Sequence, residues 1–208
     1  MSKSPPASGQ EPVRRDELVG AAAKVFTRYG FRKTSMDDVA RAAQLSRQGV
    51  YFYFSTKEEL FRAVVGYLAE VTLEAARTAL AREDLGLDVR LLGAFEAMST
   101  RALGECDPAN VQELFASAAE LAREVVQALD DQIVSALAAA LARQGKPRSG
   151  IAPRALAEHL YAASYGLKHR GLAGEEYLAR MKIAVRIVAF AAEPRAGLEP
   201  NRKQRASK

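Results

Sequence analysis

Apolar positions recur at three- and four-residue spacing along most of this chain, without sustained period-two alternation, so the elements they predict are helices. Leu18, Ala22, Val25, Phe26 and Tyr29 share one face of a first helix, from about Pro12 to Tyr29, which Gly30 stops before Phe31 packs back on the bundle. Two short helices follow between Ser35 and Phe54, with Val39, Ala40, Ala43, Leu45, Val50 and Phe54 as their apolar set. Ser35 caps the first, with Asp37 and Asp38 in its positive opening turn, and Ser46 caps the second. Ser55 with Glu58 reads as a capping box for a fourth helix, whose stripe of Leu60, Phe61, Val64, Leu68 and Val71 runs from about Thr56 to about Arg82.

Asp84-Leu85-Gly86 ends that helix, and four or five more are predicted beyond it. Leu91, Leu92, Phe95 and Met98 mark one from Leu87 to Leu103, stopped by Gly104. Asp107-Pro108 starts another, and Ser117 with Glu120 reads as a capping box opening a long Ala/Leu-rich helix that ends at Gln144-Gly145-Lys146-Pro147. The last two run from Pro153 to about Gly171 and from Glu175 to about Ala192. The pattern predicts an all-α chain of about nine helices, with no internal repeat and no Pro-rich linker. The long fourth helix is expected to couple the first group rigidly to the second.

Two short helices joined by a tight turn form a helix-turn-helix, and the start of its second helix faces base edges in the major groove. Arg47, Gln48 and Gly49 occupy that start. Arginine and glutamine carry the forked polar groups that base reading uses, and Gly49 lets the backbone approach closely. Tyr51 and Tyr53 are candidate phosphate donors, as is Lys57 beside the positive end of the fourth helix. Phe52 and Phe54 are expected to pack internally.

Charge sharpens this picture. Residues 1–57 carry ten basic and five acidic side chains, an excess that equals the +5 of all 208 residues. A basic excess concentrated around a helix-turn-helix reads as the sequence-independent phosphate part of DNA binding. A second cluster, Arg202, Lys203, Arg205 and Lys208, lies on a polar tail expected to be flexible. No apolar stretch approaches the roughly 20 uninterrupted residues of a membrane span, and the first ten residues lack a signal peptide's apolar core, so a cytoplasmic protein with no membrane partner is expected. The single cysteine, Cys106, excludes an intrachain disulfide. His159 and His169 are ten residues apart, about 280° around a helix, and share no face for a metal. Neither a phosphate loop nor a catalytic triad is present, so no catalytic residue, cofactor or metal is assigned.

The run from Thr34 to Lys57 resembles the DNA-binding segment of TetR-type (TetR/AcrR) transcriptional regulators. It has the Thr/Ser start, Asp-hydrophobic-Ala, a turn ending in Ser, and the aromatic exit before Ser/Thr-Lys-Glu-Glu-Leu, with Tyr51, Tyr53, Phe54, Lys57 and Leu60 in register. The likeness extends from about Val13 to about Leu73 and departs at Gln44, where the family's turn usually has glycine. It implies a flexible leader (1–12), a three-helix DNA-binding head (13–73, motif about 36–55), a helical ligand-binding and dimerisation unit (74–194) and a basic tail (195–208). The expected DNA contacts are Thr34, Ser35, Ser46, Arg47, Gln48, Gly49, Tyr51, Tyr53 and Lys57. The family's effector pocket falls on a region where Phe95, Met98, Phe115, Tyr161 and Tyr165 are candidate lining residues.

The last two helices are expected to form a homodimer, a four-helix interface of two from each subunit. Ala163 and Gly166 allow close crossing there, and Val185 and Val188 belong to a final helix apolar on more than one face. The implied function is a ligand-responsive regulator, a repressor, binding a palindromic operator in double-stranded DNA and released by a small-molecule effector. Two alternatives stand beside it. One is a constitutive DNA-binding protein with the same head and a closed second unit; the other is an enzyme built on that unit, which would need coupled titratable groups in a pocket.

Overall fold

The computed structural model describes residues 11–103, 108–172 and 174–194. Among these the chain forms nine helices and no strands. In order they are α1 (Glu11–Tyr29), α2 (Met36–Ala42), α3 (Arg47–Tyr53), α4 (Lys57–Leu80), α5 (Leu87–Leu103), α6 (Pro108–Leu121), α7 (Arg123–Ala142), α8 (Pro153–His169) and α9 (Gly174–Ala192). The readings placed on residues 1–10, Gly104, Cys106, Asp107 and the tail from 195 onward lie outside the described residues.

Local chemistry sets most of the boundaries. The Ser35 hydroxyl accepts the Asp38 N–H at 3.2 Å while the Asp38 carboxylate accepts the Ser35 N–H at 3.0 Å, a reciprocal box that starts α2. Gly30 ends α1 at φ 80°, and Gln44 stands in the turn between α2 and α3 at φ 55°, a left-handed position held by a side chain that strains it. The cap of α4 falls one residue later than the sequence suggests. Thr56, not Ser55, takes the Glu59 N–H at 3.1 Å, and Ser55 donates its own N–H to the Glu59 carboxylate at 2.8 Å. A second correction concerns Ser117, which opens no helix. It lies within α6 with its hydroxyl on Glu113 at 3.2 Å, and α7 begins after a backbone break at Ala122 that has no side-chain cap.

The buried residues form two cores, and α4 belongs to both. Leu60, Phe61 and Val64 pack with Leu18, Phe26, Val39, Val50 and Phe54 in the head. Leu73, Ala76 and Leu80 pack with Leu91, Phe95, Leu137, Leu160 and Met181 in the body. Tyr29, expected on the inner face of α1, is instead about half exposed, because its position at the last turn carries it past the core. The far end of α4 is held by the buried Arg90, whose guanidinium donates to the Leu80 carbonyl at 3.4 Å, where the helix is partially negative.

One body helix enters the head. Leu114 of α6 is buried in the head core, with Ala118 and Leu121 against it. Its neighbour Glu113 accepts the Phe31 and Arg32 N–H groups at 2.9 and 3.1 Å, and Asn110 donates to the Arg28 carbonyl at 2.8 Å. Three polar contacts from α6 therefore fasten the turn between α1 and α2. Helix α7 amends an expectation of a different kind, since by length and composition alone it could cross a bilayer. Here Ile133, Val134, Leu137, Ala140 and Leu141 of that helix line the body core.

Two substitutions test these assignments by urea unfolding. Gln44→Gly relieves the left-handed strain and should raise stability by roughly 0.5–1 kcal/mol. Glu113→Ala strips two N–H groups of their acceptor and should lower stability by about 1–3 kcal/mol.

Candidate nucleic-acid interface and internal cavity

Helix α3 presents its opening turn outward. Ser46 caps it by accepting the Gly49 N–H at 3.0 Å, and Val50 and Phe54 anchor its inner side. Arg47 and Gln48 project from the exposed side, and the Arg47 side chain keeps 62 % of its surface in solvent. That side chain is nonetheless held. Its guanidinium donates to Asp37 of α2 at 3.1 Å and lies 5.7 Å from the Tyr51 ring centroid. The Tyr51 hydroxyl, and then the Asp37 charge, raise the Arg47 pKa above its ordinary value. Gly49 has a structural reason as well as a steric one, because a Cβ there would meet the capping Ser46 hydroxyl at 3.3 Å.

The other expected contacts divide. Tyr51 is exposed and Tyr53 partly so, with Phe52 edge-on to the Tyr53 ring at 5.1 Å. Phe52 was expected inside and is 70 % exposed: it points away from the side that carries Val50, while Phe54 is buried as expected. Ser35 and Ser46 are exposed, their hydroxyls engaged as caps. Thr34 is only 3 % exposed and its hydroxyl donates to the Gly30 carbonyl at 2.7 Å, so its side chain is removed from the set of contacts. Lys57 has an internal duty. Its ammonium donates to the Phe31 and Thr34 carbonyls at 3.1 and 3.2 Å and stands 4.3 Å from the Phe31 ring centroid, tying the α1–α2 turn to the start of α4.

A cavity of about 200 Å³ lies where head meets body, lined by α1, α4, α6, α7 and α8 with Met98 of α5. Of the five expected lining residues, Met98, Phe115, Tyr161 and Tyr165 border it. Phe95 does not; it is fully buried in the body core, one helical turn before Met98. The sequence reading missed that the head contributes Phe26, Thr27 and Phe61 to this lining. No periodicity could have shown that, since these are ordinary core positions of α1 and α4. Tyr161 donates its hydroxyl to Asp130 at 2.6 Å; burial raises the pKa of that carboxyl and of the phenol alike. Burial acts in the opposite sense on Lys168, lowering its ammonium to about 8. Among the described residues there is no group of three or more potential metal ligands.

The outer faces of the last two helices also correct an expectation. Val185 and Val188 are 1 % and 8 % exposed, packed in their own body core rather than open to a second copy. The exposed apolar stripe of α9 is Ile183, Ile187 and Phe190, the last with the Arg148 guanidinium 4.3 Å from its ring centroid. On α8, Gly166 is exposed and Ala163 half-buried, and nothing lies within 4 Å of a Cβ placed on Gly166.

Residues 18–64 match the family model of bacterial regulatory proteins, tetR family. The uncharacterized HTH-type transcriptional regulator YfiR of Bacillus subtilis (strain 168) is 48 % identical over 52 residues, 25 % of each chain. The HTH-type transcriptional regulator BetI of Rhizobium meliloti (strain 1021) is 36 % identical over 78 residues, 36 % of this chain and 38 % of that one. The similarity to these two relatives thus spans between a quarter and two-fifths of their length. The reduced form of E. coli NemR shares the fold across 84 % of this chain and 97 % of its own, with a TM-score of 0.67 at 18 % identity. Residues 18–64 thus carry the DNA-binding segment of the bacterial tetR family, and the chain as a whole shares the fold of structures that include TetR/AcrR members.

Proposed function

We propose that this chain is a transcriptional regulator of the TetR type, a repressor that binds a palindromic operator as a homodimer and is released by a small molecule seated in the cavity between head and body. The observation that carries the reading is the exposed, capped opening of α3, where Arg47 and Gln48 project beside Gly49 on a basic head. Arg47 is already held between Asp37 and Tyr51, so less side-chain freedom is lost when the guanidinium N–H groups not used by Asp37 meet a guanine edge. Tyr51 and Tyr53 reach phosphate, as does the N–H of Lys57 that the two carbonyls leave over. A reading without an effector is disfavoured by the cavity itself.

Dimerisation follows from the size of the reading element. One recognition helix covers a few base pairs, and two-fold symmetry of the protein supplies the second half-site. The exposed stripe of Ile183, Ile187 and Phe190, together with the open surface at Gly166, is the face assigned to the partner copy. Release then requires a ligand that favours one arrangement of head and body over the other. Two elements carry that difference. Helix α4 joins both cores, and α6 lines the cavity through Phe115 while Glu113 grips the α1–α2 turn.

Arg47→Ala should weaken binding to the cognate operator by about 1–3 kcal/mol and relax preference at one base position, measured by binding-site selection and titration. Unchanged affinity and preference would remove α3 from the interface. Ile187→Glu should yield monomers in sedimentation with the helical spectrum intact and operator binding lost. A wild-type chain that sediments as a monomer at micromolar concentration would defeat the dimer.

A further inference from the structure

Several polar groups on the cavity wall are already in use. Thr27 and Thr72 donate their hydroxyls to the carbonyls one turn back, at 2.9 and 2.6 Å, and Ser164 is paired with the Tyr177 hydroxyl at 2.8 Å. Tyr161 donates its hydroxyl to Asp130. Lys168 stands apart. Its ammonium lies 5.3 Å from the Tyr177 ring centroid, and among the described residues no carboxylate offsets its loss of water; burial alone acts on its pKa. A partly buried cation without a counter-charge loses solvation, and an anion brought in with a ligand offsets that loss.

Lys168 and Tyr161 are seven residues apart on α8, two turns, so they share a face and stand about 10 Å apart along it. The cavity is therefore polar towards two ends, with Phe26, Phe61, Val64, Leu68 and Ile133 among the apolar side chains around it. A cationic ligand meets Asp130, which Tyr161 already engages, and leaves the ammonium of Lys168 unpaired. A carboxylate pairs with it and places its apolar body on the phenylalanines. Size narrows the class further. An apolar cavity of about 150 Å³ holds a benzene ring, and this one is about 200 Å³. Resting on the reading of this cavity as the effector site, we propose that its occupant is a small amphipathic carboxylic acid, a single aromatic ring or a short aliphatic body, with its carboxylate on the Lys168 ammonium.

Three probes of one shape and different heads test this: 3-phenylpropionate, 3-phenylpropan-1-ol and 3-phenylpropylamine, titrated calorimetrically into the full chain near neutral pH. The acid should bind at least about tenfold more tightly than the other two, the gain expected of a charge-assisted contact. Lys168→Met keeps the length and apolar stem of the side chain, and it should reduce the acid to the affinity of the alcohol while leaving the alcohol unchanged. Its melting temperature should not fall, since it removes a desolvated charge. Ala118→Phe, which fills the cavity from α6, should abolish binding of all three. If the alcohol or amine binds the wild type as well as the acid does, or if Lys168→Met keeps the acid's advantage, the carboxylic-acid assignment is overturned while the cavity stands as the effector site. If none of the probes binds, or Ala118→Phe leaves their binding intact, both assignments fall.

Discussion

Helix α4 has to satisfy two cores with one backbone. Its first turns bury Leu60, Phe61 and Val64 in the head and its last turns bury Leu73, Ala76 and Leu80 in the body. Twenty-four residues without a proline give a rod of roughly 36 Å, and neither core can shift along it independently. Both ends are fastened. At the start, Lys57 bridges the Phe31 and Thr34 carbonyls. At the finish, Arg90 donates to the Leu80 carbonyl from α5. The placement of the head, and with it the direction in which α3 faces, depends on this rod and on the contacts that α6 adds beside it.

What the sequence made legible was what local chemistry decides. Caps at Ser35 and Ser46, the stop at Gly30 and the left-handed demand at Gln44 each act within a few residues, so their signals are complete in the string. Errors arose where two equivalent signals lay side by side. Ser55 and Thr56 can each cap α4, and only the geometry of the incoming chain selects Thr56. Ser117 has an acid three residues after it and another four before it, and the one behind holds its hydroxyl. Helix α9 is apolar on two faces, so periodicity alone gives no preference between Val185 with Val188 and Ile183 with Ile187 as the inward set.

The exposed opening of α3 is more legible in the sequence than the cavity for a related reason. Arg47, Gln48 and Gly49 are consecutive, so their exposure follows once α3 is placed. The cavity gathers residues from six helices, and its chemistry depends on which polar groups are satisfied elsewhere. Thr34 shows the same limit on a smaller scale. Its position at the start of the motif suggested a contact, but its hydroxyl turns back to Gly30 and leaves the surface.

Three adjoining residues of α6 have separate attachments: Glu113 holds the α1–α2 turn, Leu114 lies in the head core, and Phe115 borders the cavity. Successive positions on a helix are turned about 100° from one another, so a single element faces three environments at once. The unit that can be exchanged intact between relatives is therefore not the first four helices alone. A graft of this head onto another body would arrive with an uncovered patch at Leu114's site and an unfastened turn at Phe31 and Arg32. Transfer of this head as a module therefore calls for α6 to travel with it, although α5 and its flanking segments lie between α4 and α6 in the chain.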